Sequence, residues 1–345
     1  MKLFHSLLYP LLGGLFCLSC SDDEQDTGTK QPTTAGEVTF GVDLTGFSTR
    51  VTQDGSSWND GDKIGTYVLD MKTLEPVTEA ANVPYVCSEE GASVSFTSTT
   101  PLKVQNDGTP VKFVAYYPYN ADVRNFNYPV QLAAQERGST ACDLLYAATK
   151  EEYTYSPENE PHISLNFTHR LAKVILKFVN MEKEPLEVSD VRIEGMQTAA
   201  SFNIQTDVLT VDESSVATIN PYHNATTGFY EAIILPSALT DSYKVSFVLD
   251  DREKEWIFTN LDIALPQFHK GYSYTFALYI DDSGFVEMGR LENVEGGNSS
   301  APWEDGSSED GTAEGDKTPV SGYAFTPADG TQQALADTEL KIAFE

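Results

Sequence analysis

Ala172-Lys173-Val174-Ile175-Leu176-Lys177-Phe178 and Tyr272-Ser273-Tyr274-Thr275-Phe276-Ala277-Leu278-Tyr279-Ile280 decide the fold class. In the first run Ala172, Val174, Leu176 and Phe178 recur at every second position, with Lys173 and Lys177 among the residues between them. Successive side chains of an extended chain point to opposite faces. This spacing therefore turns an apolar face to a core and directs the two lysines to solvent. Tyr272, Tyr274, Phe276, Leu278 and Ile280 form the same stripe in the second run, and Val38-Thr39-Phe40-Gly41-Val42 and Val111 to Tyr117 alternate likewise. Asp54-Gly55, Asp60-Gly61, Asn106-Asp107-Gly108 and Asp282-Ser283-Gly284 supply turns. No segment sustains a 3.6-residue apolar period beyond a turn or two. The chain reads as all-β, built of short strands in the manner of β-sandwiches.

A length of 345 residues predicts two or three domains. Asp and Glu number 52 against 22 Lys and Arg, a net charge of −30. The resulting field repels polyanions, so a nucleic-acid binder that works by phosphate neutralisation is excluded, as is docking on anionic lipid through basic patches. Hydrophobic residues at 40% and aromatics at 11% are enough for real cores and exclude wholesale disorder.

The N-terminus sets the compartment. Met1-Lys2 precedes an apolar run from Leu7 to Leu18 that Pro10, Gly13 and Gly14 interrupt. The run is too short to span a bilayer as a mature helix and reads as a secretory signal peptide over residues 1–20. Its end, Phe16-Cys17-Leu18-Ser19-Cys20, resembles a bacterial lipobox, although Cys17 stands where Leu is usual. The resemblance implies that Cys20 becomes the acylated N-terminus. Processing would also separate the Cys17-x-x-Cys20 pair, which otherwise matches a redox or metal motif. Residues 21–36, rich in Asp, Thr and Gly, read as a flexible tether reaching about 20 Å. An acidic stretch directly after such a Cys resembles the surface-export signal of some Gram-negative anaerobes.

The body divides into an N-terminal sandwich over 37–160 and a C-terminal one over 161–291. Val111-Lys112-Phe113-Val114-Ala115-Tyr116-Tyr117-Pro118 has a faint echo in Gly228-Phe229-Tyr230-Glu231-Ala232-Ile233-Ile234-Leu235-Pro236. Each is an apolar strand that carries an Ala and ends at Pro. Residues 292–322 form an acidic Gly/Ser linker, and 323–345 hold an isolated strand, Thr338 to Glu345. A single strand has no independent stability, so it either pairs elsewhere or opens a further domain.

Catalytic constellations are missing: there is no GxGxxG, P-loop, HExxH or nucleophile elbow. The five histidines are scattered, and His169, at the head of a strand, reads as a structural hydrogen-bonding residue. Asp54 to Asp62 offers oxygen ligands at loosely calcium-like spacing but lacks the closing Glu, and tight turns use the same residues. No metal and no cofactor is expected. Trp58, Trp256 and Trp303 could stack on sugars, but core positions suit such aromatics better. Cys87 and Cys142 could pair in an oxidising compartment or remain buried thiols.

Ser48-Thr49-Arg50 followed by Ser57-Trp58-Asn59-Asp60-Gly61-Asp62-Lys63-Ile64-Gly65, then Ala115-Tyr116-Tyr117-Pro118-Tyr119, then Asp143-Leu144-Leu145-Tyr146-Ala147 with Leu165-Asn166-Phe167-Thr168-His169-Arg170-Leu171-Ala172-Lys173 together resemble the fimbrillin family. Pro302-Trp303-Glu304-Asp305-Gly306 fits the way such domains close. This resemblance implies two transthyretin-like β-sandwich domains on a lipid anchor, with Trp58, Gly61, Asp62, Phe167 and His169 as structural motif residues. It implies a non-enzymatic pilus subunit or tip or anchor adhesin at the outer membrane, exposed on the cell surface. Its partners would be other pilin subunits joined by β-strand addition, lipid through Cys20, and host or microbial surface ligands. In polymerising members a protease cuts after an Arg near the first strand, and Arg50 occupies that place. The segment from Tyr323 also resembles the opening of a bacterial Ig-like domain. An alternative reading is therefore a glycan- or protein-binding sandwich module of a larger surface protein.

Overall fold

The computed structural model describes residues 35–43, 57–77, 81–91, 93–135, 138–158, 160–238, 243–249, 254–259, 267–280, 286–296 and 326–327. The protein is all-β: among the described residues the one helical element is the 3-10 turn Ser139–Cys142.

The largest sheet has eight strands in the spatial order His162–Ser164, Thr39–Asp43, Ser93–Thr97, Val83–Cys87, Lys63–Asp70, Val111–Tyr117, Leu145–Ala148 and Thr168–His169. All neighbours in it are antiparallel except the first pair. Its middle strands are apolar on both faces, which explains why they read as near-continuous apolar runs. Ile64, Val68, Phe113 and Ala115 join one core with Phe40, Phe96 and Trp58, whereas Tyr67, Leu69, Val114 and Tyr116 face a second core.

A five-stranded sheet follows, ordered Tyr222–Asn224, Phe229–Ile234, Ala172–Asn180, Tyr272–Ile280 and Val286–Gly296. The two runs that announced the fold lie side by side in it, parallel, with Val174 opposite Tyr274 and Leu176 opposite Phe276. Their alternate residues share a core with Val188, Ile193, Val245 and Phe247, which come from the sheet Val188–Glu194, Lys244–Leu249, Lys254–Thr259 and Thr326–Pro327. Val188 and Ile193 have opposite parity, yet both face inward. The register shifts between Ser189 and Arg192, and Asp190 takes a φ of 49°, so a bulge turns the strand over.

The second core lies between the halves. Asn127–Gln131 pairs with Ala199–Asn203, which pairs with Val208–Val211, so one small sheet draws strands from both parts of the sequence. The echo between the strands ending at Pro118 and Pro236 acquires a structural meaning here. Ala115 and Ala232 face separate cores, while Val114 and Tyr116, and likewise Ile233 and Leu235, meet in the shared one. Gln135 seals this junction. Its Nε2 donates to the carbonyls of Leu132 and Ile233 at 2.7 Å each, and its Oε1 accepts from Ile233 N–H at 2.7 Å. A side-chain amide thereby does for a strand edge what a neighbouring strand would do.

Three details differ from the sequence reading. Lys173 shares a face with Lys177 but is buried: its Nζ lies 2.6 Å from Glu231, whose other carboxylate oxygen accepts from Asn224 at 2.9 Å. A lysine enters a covered face when a carboxylate on the next strand meets it. His162–Ser164 and Thr168–His169 belong to the eight-stranded sheet, so pairing carries that sheet to His169, past the border set at residue 160. Val286–Gly296 continues through residues 292–296, the opening of the stretch expected as linker, because backbone pairing to Tyr272–Ile280 needs no apolar side chains. In the C-terminal segment Thr326–Pro327 pairs with Lys254–Thr259, and the strand expected from Thr338 lies outside the described residues.

Candidate functional site

The strand Thr39–Asp43 is the first piece of chain in the eight-stranded sheet and occupies a slot rather than an edge. On one side it runs antiparallel to Ser93–Thr97 with Phe40 opposite Phe96; on the other it runs parallel to His162–Ser164. Val38, Phe40 and Val42 alternate inward and are 0%, 0% and 2% exposed. Phe40 packs edge-on against Tyr85 at 4.8 Å and Phe113 at 5.8 Å between ring centroids. Each such side chain contributes about 1.5–3 kcal/mol by leaving water.

The backbone is satisfied on both sides. Val38 N–H donates to Leu102 at 2.9 Å, Thr39 N–H to Pro161 at 2.9 Å, and Leu165 N–H donates to Gly41 at 2.9 Å. Tyr85 hydroxyl bridges the lip of the slot, donating to the Val38 carbonyl at 3.0 Å and accepting from Leu102 N–H at 2.8 Å. Gly41 has no Cβ because one would sit 2.6 Å from the His162 ring. Removing this strand would leave a row of unpaired backbone groups beside an open apolar trench.

Trp58, Gly61 and Asp62 come together at one end of the same core. Trp58 is fully buried, edge-on to Phe96, Tyr117 and Phe167 at 5.1, 5.3 and 5.5 Å. Its backbone is fastened to Gly91 in both directions, at 3.0 and 3.1 Å, while its indole N–H has no hydrogen-bond partner among the described residues. Burial on this scale makes it a core residue and not a sugar platform. Gly61 turns the chain with a φ of 88°, a conformation that favours glycine, and its N–H donates to Cys87 at 2.9 Å. Asp62 accepts from Asn59 N–H at 2.7 Å and from Tyr117 hydroxyl at 3.3 Å.

Burial raises the Asp62 carboxyl above the ordinary carboxylate value, and the Asn59 and Tyr117 hydrogen bonds oppose the rise. A raised carboxyl binds its proton more tightly in the folded than in the unfolded chain. Its stabilising contribution is complete at low pH and is lost as pH climbs through the raised value. Asp62→Asn keeps an acceptor for Asn59 and removes the charge. It is expected to flatten the fall in melting temperature across that window without lowering stability near neutrality. Thermal melts from about pH 4 to pH 7 check this; a variant less stable than wild type only at the neutral end would contradict it.

Phe167 completes the aromatic cage around Trp58, and His169 is held apart from it. The His169 imidazole Nδ1 lies 2.9 and 2.8 Å from the two carboxylate oxygens of Asp143, and both residues are buried. The sequence presents these two residues in separate motifs; the structure makes them partners. Next along the chain, Arg170 grips Asp207 at 2.5 and 3.0 Å and stacks over the Tyr146 ring at 4.8 Å, tying the first sheet to the hairpin Ala199–Val211. Tyr85, Gln135 and the Gly41–His162 contact escaped the sequence reading. Tyr85 lies in an alternating run, Val83-Pro84-Tyr85-Val86-Cys87, that could have signalled an inward face; Gln135, in a polar loop, gives no such signal.

Cys87 and Cys142 are free thiols in different cores, both raised in pKa by burial. Cys20, Arg50 and Trp303 lie outside the described residues, as does the side chain of Trp256.

Comparison with curated protein sequences gave no match. A candidate cell adhesion protein of Bacteroides uniformis superposes with a TM-score of 0.61 at 21% identity, covering 76% of this chain and 97% of its own. A second, from Bacteroides ovatus, gives 0.56 at 15% identity, covering 76% and 98%. These likenesses establish a shared fold. The tip fimbrial protein Mfa3 of Porphyromonas gingivalis, truncated at its C-terminus, matches at 0.45 and 7% identity over 76% and 99%. The sequence model of the fimbrillin-like family matches residues 49–303, a range that takes in Trp58, Gly61, Asp62, Phe167 and His169. The chain belongs to the fimbrillin-like family.

Proposed function

We propose that the protein is a cell-surface fimbrial lipoprotein of two tandem transthyretin-like sandwiches, held in the outer membrane through Cys20 until it is processed and then joined to other pilin subunits by strand exchange. The seat of Thr39–Asp43 carries this reading. A strand that is buried on its apolar side, paired along both edges and connected onward through a segment containing Arg50 is a removable insert. Cleavage after Arg50 would free it, and a strand from another subunit would restore both the hydrogen bonds and the apolar contacts. The run Thr338 to Glu345 suits the vacancy. When Leu340, Ile342 and Phe344 take the places of Val38, Phe40 and Val42, Ala343 falls at the position of Gly41, where its Cβ requires the exposed His162 ring to swing aside. Family membership supports a structural rather than an enzymatic role.

The anchor has its own test. Metabolic labelling with a palmitate analogue is expected to mark the wild-type protein and not Cys20→Ser, which should leave the membrane fraction. Label retained on Cys20→Ser would refute the assignment.

A further inference from the structure

On the face of the eight-stranded sheet opposite the Trp58 core, Lys63, Val86 and Thr97 stand in one cross-strand row, paired Lys63 to Val86 and Val86 to Thr97. Gly65 and Pro84 form the next row. A groove of about 410 Å³ opens over them, within the size range of small-ligand sites. Its floor is Pro84 and Val86, and Thr97, Ser98 and Thr99 line it as well. Tyr119 lines it too, tied to Lys63 by a 3.0 Å backbone hydrogen bond.

The ground beside the groove is rigid. Tyr116 lies so close over Gly65 that a Cβ there would overlap its ring, and the Tyr116 hydroxyl donates to Asn82 at 2.6 Å. Lys63 is exposed and, among the described residues, forms no ion pair. In a chain of net charge −30 it is a local cation set among hydroxyls and one phenol.

We infer that this groove binds a pyranose bearing one carboxylate. The apolar floor and the Tyr119 ring suit the C–H face of a sugar, as aromatic and aliphatic surfaces do generally. Three hydroxyl side chains can exchange hydrogen bonds with ring hydroxyls, and Lys63 acts as a point charge for a single carboxylate. The overall negative field selects against polyanionic ligands, leaving a singly charged one. The inference rests on the proposed surface role, because an adhesive groove must face outside ligands.

The test titrates the full mature protein with sialyllactose, with a glucuronate-terminated disaccharide, and with neutral lactose as reference. The expected result is saturable binding of at least one acidic sugar and none of lactose over the same range. Which acidic probe binds identifies the source of the carboxylate. Lys63→Gln should weaken binding about tenfold, Tyr119→Ala should abolish it, and Lys150→Gln should leave it unchanged. Absence of binding by both acidic probes, equal binding of lactose, or an unaffected Lys63→Gln would overturn the inference. Oligomer formation measured on the same variants separates the two readings. Sugar binding by a protein that never assembles would refute the strand-exchange role and keep the groove. Normal assembly without sugar binding would do the reverse.

Discussion

Trp58→Ala is expected to lower the free energy of unfolding by about 3–5 kcal/mol, the range for truncating a buried aromatic. The ring sits at the meeting point of three elements. Phe96 comes from a strand that pairs with Thr39–Asp43, Tyr117 ends the strand Val111–Tyr117, and Phe167 lies between the two short strands that close the sheet's ends. Losing it leaves a void that none of the three can fill without shifting its own backbone. One term acts in the other direction. The indole N–H is buried without an acceptor among the described residues, and removing an unsatisfied donor recovers about 1–3 kcal/mol. Trp58→Phe removes the same donor while keeping an aromatic ring for the edge contacts, so its loss should be clearly smaller. Equilibrium urea unfolding of both variants checks the order. Equal losses, or a Trp58→Ala cost below about 1 kcal/mol, would mean that the cage does not organise this end of the core.

Changing Arg50 should have the largest effect on assembly. With Thr39–Asp43 in place the slot is closed, and the protein is expected to remain monomeric. Once the segment ending at Arg50 leaves, Phe96, Tyr85 and Phe113 lose the side chain that covered them, and the facing backbone of Ser93–Thr97 loses its partner. The unfilled state is costly enough that a second chain should enter it and leave very slowly, because release would re-expose the whole trench. Arg50→Gln is accordingly expected to block both trypsin release of the strand and the appearance of oligomers. Phe40→Ala should loosen the resident strand and speed its release after cleavage. Oligomers forming from Arg50→Gln at the wild-type rate would point to a different interface.

The two-residue stripes made the strand content legible, and Ala172 to Phe178 and Tyr272 to Ile280 do line one core with their even-numbered residues. Alternation reports which residues share a face and is silent on what covers the opposite face. Lys173 is the case in point: the period placed it correctly across from Val174, but the cover over that face and the Glu231 partner belong to tertiary structure. The bulge at Asp190 illustrates a related limit, because one inserted residue reverses the parity on which the reading depends. Trp58, Gly61, Asp62, Phe167 and His169 were found through a family pattern, whereas the partners that explain them, Gly91, Tyr117 and Asp143, lie in three other segments of the sequence. The slot itself could not be read at all. Nothing in Val38 to Val42 says that its neighbours are Ser93–Thr97 and His162–Ser164, since strand order across a sheet is set by long-range pairing.

The most direct test of strand exchange follows the size distribution of the purified mature protein before and after limited trypsin digestion, with N-terminal sequencing of the product. The account predicts a monomer beforehand, a new N-terminus at Val51 afterwards, and a ladder of oligomers that survives SDS. A protein cut at Val51 that stays monomeric would contradict it.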